Sequence, residues 1–141
     1  MMTDDPITKR VANVKIVSGG QTGVDRGALE AAVALGLDFG GWAPHGWIAE
    51  DGTIPAQFQA KMQEHPSMGG KAKDYRERTK ANVRDSHATL ILVDSLPLSG
   101  GTKLTEDTAV AMMRSYLRKE KKRRTDGAGS GIHEDDLFRR G

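Results

Sequence analysis

Twice along this chain a short apolar run stops at a glycine pair, and a stretch with apolar residues at helical spacing follows. The first run, Val14-Lys15-Ile16-Val17, ends at Ser18-Gly19-Gly20 and predicts a strand closed by a tight turn. From Val24 to Leu35, the residues Ala28, Leu29, Ala32, Val33 and Leu35 recur at helical intervals, and Gly36 offers a left-handed stop. Thr22 stands where the helix N-cap belongs, with Asp25 three residues on as a variant of the capping box. The second run, Ala88-Thr89-Leu90-Ile91-Leu92-Val93, is the strongest strand signal in the sequence. Its continuous rather than alternating pattern suits a central parallel strand covered on both faces. It leads through Asp94 and Pro97 to Ser99-Gly100-Gly101-Thr102, and a helix is expected over Leu104–Leu117.

Between the two units the signals are weaker. Leu37–Trp42 predicts a short strand interrupted by Gly40 and Gly41, and residues 43–54 a turn-rich loop. Ala56–Glu64 predicts a short helix, and Asp74–Arg84 a charged helix with Tyr75, Thr79 and Val83 inward. Strands alternating with helices imply an α/β fold, a parallel sheet sandwiched by helices with right-handed crossovers. Residues 1–117 are expected to form that domain. Residues 118–141 read as a basic, glycine-rich disordered tail, so the sheet looks truncated at its C-terminal side. The uncovered edge of the Ala88–Val93 strand predicts a homodimer through the sheet, or a marginally stable protein.

Charge sharpens this division. The net charge is +2, but residues 1–113 hold 12 Lys/Arg against 14 Asp/Glu, and residues 114–141 hold 9 against 5. Any nucleic-acid affinity is therefore expected from the tail alone. There is no cysteine, which removes thiolate ligands, disulfides and cysteine nucleophiles. No apolar run of about 18 residues suggests a membrane helix, and Met1–Arg10 lacks the apolar core of a signal peptide, so a cytoplasmic protein is expected.

The chemistry concentrates in the glycine turns. A helix N-terminus after a parallel strand presents unpaired N–H groups and a partial positive charge, which together attract an anion. Gly19, Gly20, Gly23, Gly100 and Gly101 would let the backbone approach a phosphate closely. Ser18, Gln21, Thr22, Ser99 and Thr102 would add hydrogen bonds, and Arg26 is the nearest cation in sequence. A lone Gly-Gly turn is often only a connection, but two after two strands favour one shared site. Glu50, Asp51 and Glu106 are candidate carboxylates for a hydrolase, although no nucleophile–base pattern is legible and a catalytic residue stays unassigned. His45, His65, His87 and His133 lack metal-type spacing, and Trp42 and Trp47 suit packing at least as well as ring stacking.

Six stretches taken together resemble the bacterial molybdenum carrier protein family: Ser18–Arg26, Gly40–Gly46, Ala49–Pro55, Asp74–Thr79, Asn82–Ser86 and Leu98–Thr102. They stand in that family's order and span about residues 14–110. The resemblance implies a Rossmann-like fold related to the lysine-decarboxylase-like (LOG) group. It also implies a phosphate-bearing ligand, with the molybdopterin cofactor or a nucleotide as candidates. It further implies Lys and Arg where this chain has His45 and Trp47, and a proline where it has Ser99; Glu106 falls at a different offset from the catalytic glutamate of LOG-type nucleosidases. The reading is a carrier or binding protein. A LOG-type nucleotide phosphoribohydrolase is the first alternative, and nucleic-acid or protein interaction through the basic tail the second.

Overall fold

β1 (Lys15–Val17) runs parallel to β2 (Asp38–Gly40), and the crossover between them is α1 (Val24–Leu35). The register sets Ile16 opposite Phe39 and Val17 opposite Gly40. The computed structural model describes residues 13–126, together with Pro6. α1 buries Leu29 and Ala32, and Gly36 closes it in the left-handed conformation with its N–H on Val33 O, as the sequence indicates. The expected N-cap is displaced. The helix starts after Gly23, whose carbonyl takes the first helical hydrogen bond from Gly27, while the Thr22 hydroxyl turns to Glu50.

Gly41, at φ 127°, breaks the expected Leu37–Trp42 strand in two, leaving β2 and a separate β3 (Trp42–Ala43). After a 3₁₀ turn at His45–Trp47, β4 (Ile48–Ala49) and β5 (Gly52–Thr53) form a small antiparallel hairpin. The helix expected over Ala56–Glu64 is only one turn long, α2 (Ala56–Gln59). Beyond it, Gln63 and His65 give their N–H groups to Gly41 O and Ala43 O, so β6 (Gln63–Glu64) pairs parallel with β3 instead of continuing the helix. Phe58 and Met62 still both reach the core, which joins Leu29, Ala32, Phe39, Ala43, Ala49 and Ile54. Phe39 and Phe58 meet edge to face at 6.0 Å. Trp47 packs against this cluster, its packing role.

The second half differs from expectation. Helix α3 (Lys71–Arg84) starts three residues early and packs against α4 (Gly100–Thr125), which is far longer than the anticipated Leu104–Leu117. Arg118–Arg124, read from the sequence as the start of a disordered tail, are helical; residues 127–141 of that tail lie outside the described residues. Ala88–Val93 is not a strand. It makes no backbone hydrogen bond among the described residues, and Leu90, Leu92 and Val93 are 80%, 57% and 48% exposed. The architecture is thus α/β with parallel strand pairs and helices, and its apolar core sits within residues 29–62 rather than around Ala88–Val93. No described helix is long and apolar enough to cross a membrane.

Candidate ligand cleft

The first glycine turn is built from the inside. The Ser18 hydroxyl donates to Asp25 O at 2.9 Å and accepts the Gly20 N–H at 3.2 Å. The Gln21 N–H points at Asp25 Oδ2 (3.4 Å), and the Gln21 and Gly19 N–H groups favour the ionised form of Asp25. The Gln21 amide nitrogen donates to Ile48 O at 2.9 Å, tying the turn to β4. These N–H groups therefore already hold an anion, the chain's own carboxylate.

α3 brings up the counter-charge. Arg78 Nη1 lies 3.7 Å from Asp25 Oδ2, and its guanidinium stacks over the Tyr75 ring at 5.5 Å. The same Nη1 occupies the space that a Cβ at residue 19 would fill, so only glycine leaves room for it. Arg78 is 8% exposed, and its Nε has no hydrogen-bond partner; neither has the buried Gln21 Oε1. Burial pushes the Arg78 pKa down against the pull of Asp25, and burial pushes Asp25 up against the opposing pull of Arg78. Arg78 remains a cation in either case, because guanidinium is not deprotonated in proteins.

The second turn is open. Ser99 precedes α4 without a side-chain cap, Gly100 takes φ 53°, and the first helical bond runs from the Lys103 N–H to Ser99 O. The N–H groups of Gly100, Gly101 and Thr102 form the unpaired end of a helix of 26 residues.

A cleft of about 430 Å³ takes in residues from both turns, Gln21, Thr22 and Asp25 at the first and Gly101 and Thr102 at the second, together with Arg78. A neighbouring hollow of about 550 Å³ shares Val24, Leu92 and Thr102 and takes in Ser99. Of the residues singled out from sequence, Gln21, Thr22, Gly101 and Thr102 meet at the cleft. Ser18, Gly19 and Gly20 are buried in the turn, and Gly23 and Gly100 are exposed and line neither space. Arg26 faces elsewhere: it donates to Gly20 O and grips Asp51 with two hydrogen bonds, at 3.0 and 3.2 Å. Of the candidate carboxylates, Glu50 lines the cleft and accepts the Thr22 hydroxyl at 2.7 Å, Asp51 is held by Arg26, and Glu106 pairs with Lys103 at 3.0 Å. Arg78 and Asp25 were not legible as site residues. The available hint for Arg78 was its place between Tyr75 and Thr79 on the inward face of a charged helix.

A profile of the circularly permutated YpsA SLOG family matches residues 16–133, both glycine turns included. The chain belongs to that family. It is also similar to a crystal structure of a protein from Syntrophus aciditrophicus SB named "Putative molybdenum carrier protein", at 43% identity and a TM-score of 0.64. That match covers 72% of this chain and 60% of the other, so the chain spans less than two thirds of that protein's length. No curated protein matches the chain. The resemblance to the molybdenum carrier family and the Rossmann-like α/β class therefore stand.

Proposed function

We propose that this chain is a non-catalytic carrier or binding protein whose cargo bears a phosphate-type anion, a molybdopterin-type cofactor or a nucleotide. One observation carries the reading: a single cleft draws on both glycine turns and is flanked by a buried guanidinium with an unpartnered Nε. Arg78 takes the role that sequence reasoning gave to Arg26. The carrier name borne by the Syntrophus protein supports the cargo class. The donors on hand suit the oxygens of an anion, and the chain has no cysteine to bind molybdenum directly. Among the described residues, no cluster of three or more His, Asp or Glu is arranged to hold a metal ion. Molybdenum would thus travel through the organic or oxyanionic part of the cargo.

The test is calorimetric titration of the full chain with GMP and with dihydroneopterin phosphate. At Gly101 a Cβ meets nothing within 4 Å, so Gly101→Asp is tolerated by the fold. Its charge in the first helical turn suits the helix while repelling an incoming anion. Binding of either probe by the wild type, weakened about tenfold or more in Gly101→Asp with the melting temperature held, is the expected result. Equal binding by both proteins would overturn the reading. Release of free guanine from GMP would replace the carrier with the hydrolase, with Glu50 as the carboxylate in the cleft.

A further inference from the structure

The last two turns of α4 carry a charge that neither the cleft nor the core uses. The helix runs unbroken to Thr125, and residues 118–124 are six cations and one acid, Glu120. Arg123 holds that acid at 2.9 Å, and among the described residues no other cation of the run is in an ion pair. Helix C-termini favour cations only within the last turn, which accounts for Lys122, Arg123 and Arg124. Arg118, Lys119 and Lys121 have no such reason to be there. The run also works against its own helix. Arg118 stands three and four residues from Lys121 and Lys122, and Lys119 four from Arg123, the spacings at which like charges repel. A polyanion bound from outside would relieve that repulsion.

We infer that the C-terminal end of α4 binds the phosphate backbone of double-stranded DNA, lying in the major groove. The partner follows from how the cations are spread around the helix. At about 100° per residue, Lys121, Arg118, Lys122, Lys119 and Arg123 follow one another around an arc of about 200°. All five are exposed, whereas the buried Leu117 and the partly buried Glu120 and Arg124 fall outside that arc, on the side turned to the protein. A flat anionic surface such as a lipid bilayer would meet only part of the arc. It would also find nothing to take up, because the exposed apolar residues of the helix, Val110, Met112, Met113 and Tyr116, all precede the run. A groove with phosphates on both walls meets the arc from both sides. A helix with its side chains is about 10–12 Å across and fits the roughly 12 Å major groove of B-form DNA. The deep, narrow major groove of duplex RNA does not admit it.

The experiment follows the fluorescence anisotropy of a labelled DNA duplex of about 20 base pairs titrated with the full chain, from about 50 to about 200 mM NaCl. The full chain keeps the acidic residues Glu134, Asp135 and Asp136 present. Five phosphate contacts predict binding with a slope of about −4.5 in log affinity against log salt. Arg118→Glu combined with Lys122→Glu is expected to weaken binding at least about tenfold at the lowest salt and to reduce the slope by about 2 or more. Arg118→Gln combined with Lys122→Gln should reduce the slope by about 2 with a smaller loss, and it serves if circular dichroism shows the charge-reversed helix unfolded. Lys80→Glu combined with Arg84→Glu makes the same change of net charge on α3 and should weaken binding by less than about threefold. An equal loss from the α3 pair would trace the affinity to net charge and overturn the inference, as would the absence of salt-dependent DNA binding. Duplex RNA of the same sequence is expected to bind at least about fivefold more weakly, and equal affinity would overturn the groove placement. Vesicles of phosphatidylcholine and phosphatidylserine bound where DNA is not would assign the surface to a bilayer and overturn the inference.

Discussion

Around the first glycine turn, Ile16 and Val17 of β1 lie beside Phe39 and Gly40 of β2, and α1 presses Leu29 and Ala32 into the shared core. Around the second, Leu90, Leu92 and Val93 stand largely in solvent and α4 leads away from an open turn. The turns themselves differ in the same sense. A Cβ on Gly19 would run into Arg78, and one on Gly20 would meet Ile54 Cδ1 at 2.8 Å, whereas a Cβ on Gly100 or Gly101 would meet no other part of the fold within 4 Å. Gly19 and Gly20 are closely packed beside the Asp25 carboxylate, whereas Gly100 and Gly101 are open. The cleft therefore joins one tightly packed turn to one open turn.

The largest difference between the two regions is expected in the core. Phe58→Ala, at 1% exposure in the cluster beneath the first unit, is expected to cost about 3–5 kcal/mol in urea unfolding. Leu90→Lys, in the second unit, should change stability by no more than about 0.5 kcal/mol, as exposed substitutions do. A loss above about 2 kcal/mol at Leu90 would mean that this segment is covered in solution, through the sheet-edge pairing anticipated from sequence.

The glycines give a smaller contrast of opposite sign. Gly20→Ala forces a side chain onto φ +75° and against Ile54, and should destabilise by roughly 1–3 kcal/mol. Gly101→Ala sits in open space inside a helix and should stabilise by about 0.5–1 kcal/mol. Two losses would show that the second turn is as tightly built as the first.

How far the sequence speaks for each region follows from the range of the interactions involved. α1 and its Gly36 stop were legible because helical periodicity and a left-handed cap are encoded within a few residues. The Thr22 cap was one residue out, since Thr22 is drawn to Glu50, 28 residues away. The Ala56–Glu64 helix gave way to β6 because Gln63 and His65 find backbone partners in the β3 region, which no local window can see. Ala88–Val93 has the side chains of a strand, yet a strand exists only with a neighbour to complete its ladder, and none of the described residues supplies one. At the site, glycines announced the turns, whereas the Asp25–Arg78 pair joins residues far apart in sequence and left no local mark. Arg26 was chosen for closeness in sequence, and its guanidinium is committed to Gly20 O and Asp51.

The smallest expected effects are in pH dependence, where the two kinds of carboxylate move oppositely. The Arg26 hydrogen bond lowers the Asp51 pKa below its ordinary 3.8, and the Trp42 N–H does the same for Asp85. Stability from these pairs is present above pH 3.8 and lost as the pH falls through their lower folded values. Asp51→Asn should thus be less stable than wild type at neutral pH and converge with it in acid, a modest difference because the pair is exposed. Burial raises the Asp25 pKa, so its contribution is fully present below 3.8 and declines as the pH rises through the folded value. The stability of Asp25→Asn relative to wild type should therefore rise with pH across that window. Denaturant melts of the three proteins between acid and neutral pH would check both slopes, and slopes of the same sign would contradict the distinction between the two environments.

A carrier with one shared site requires a single ligand to touch both turns. The decisive measurement is an amide-resolved NMR titration of the full chain with GMP or dihydroneopterin phosphate. The predicted result is that the amides of Gln21 and Thr22 and those of Gly100, Gly101 and Thr102 shift together along one saturating isotherm. Shifts confined to one turn, or two isotherms with different affinities, would contradict a single shared site.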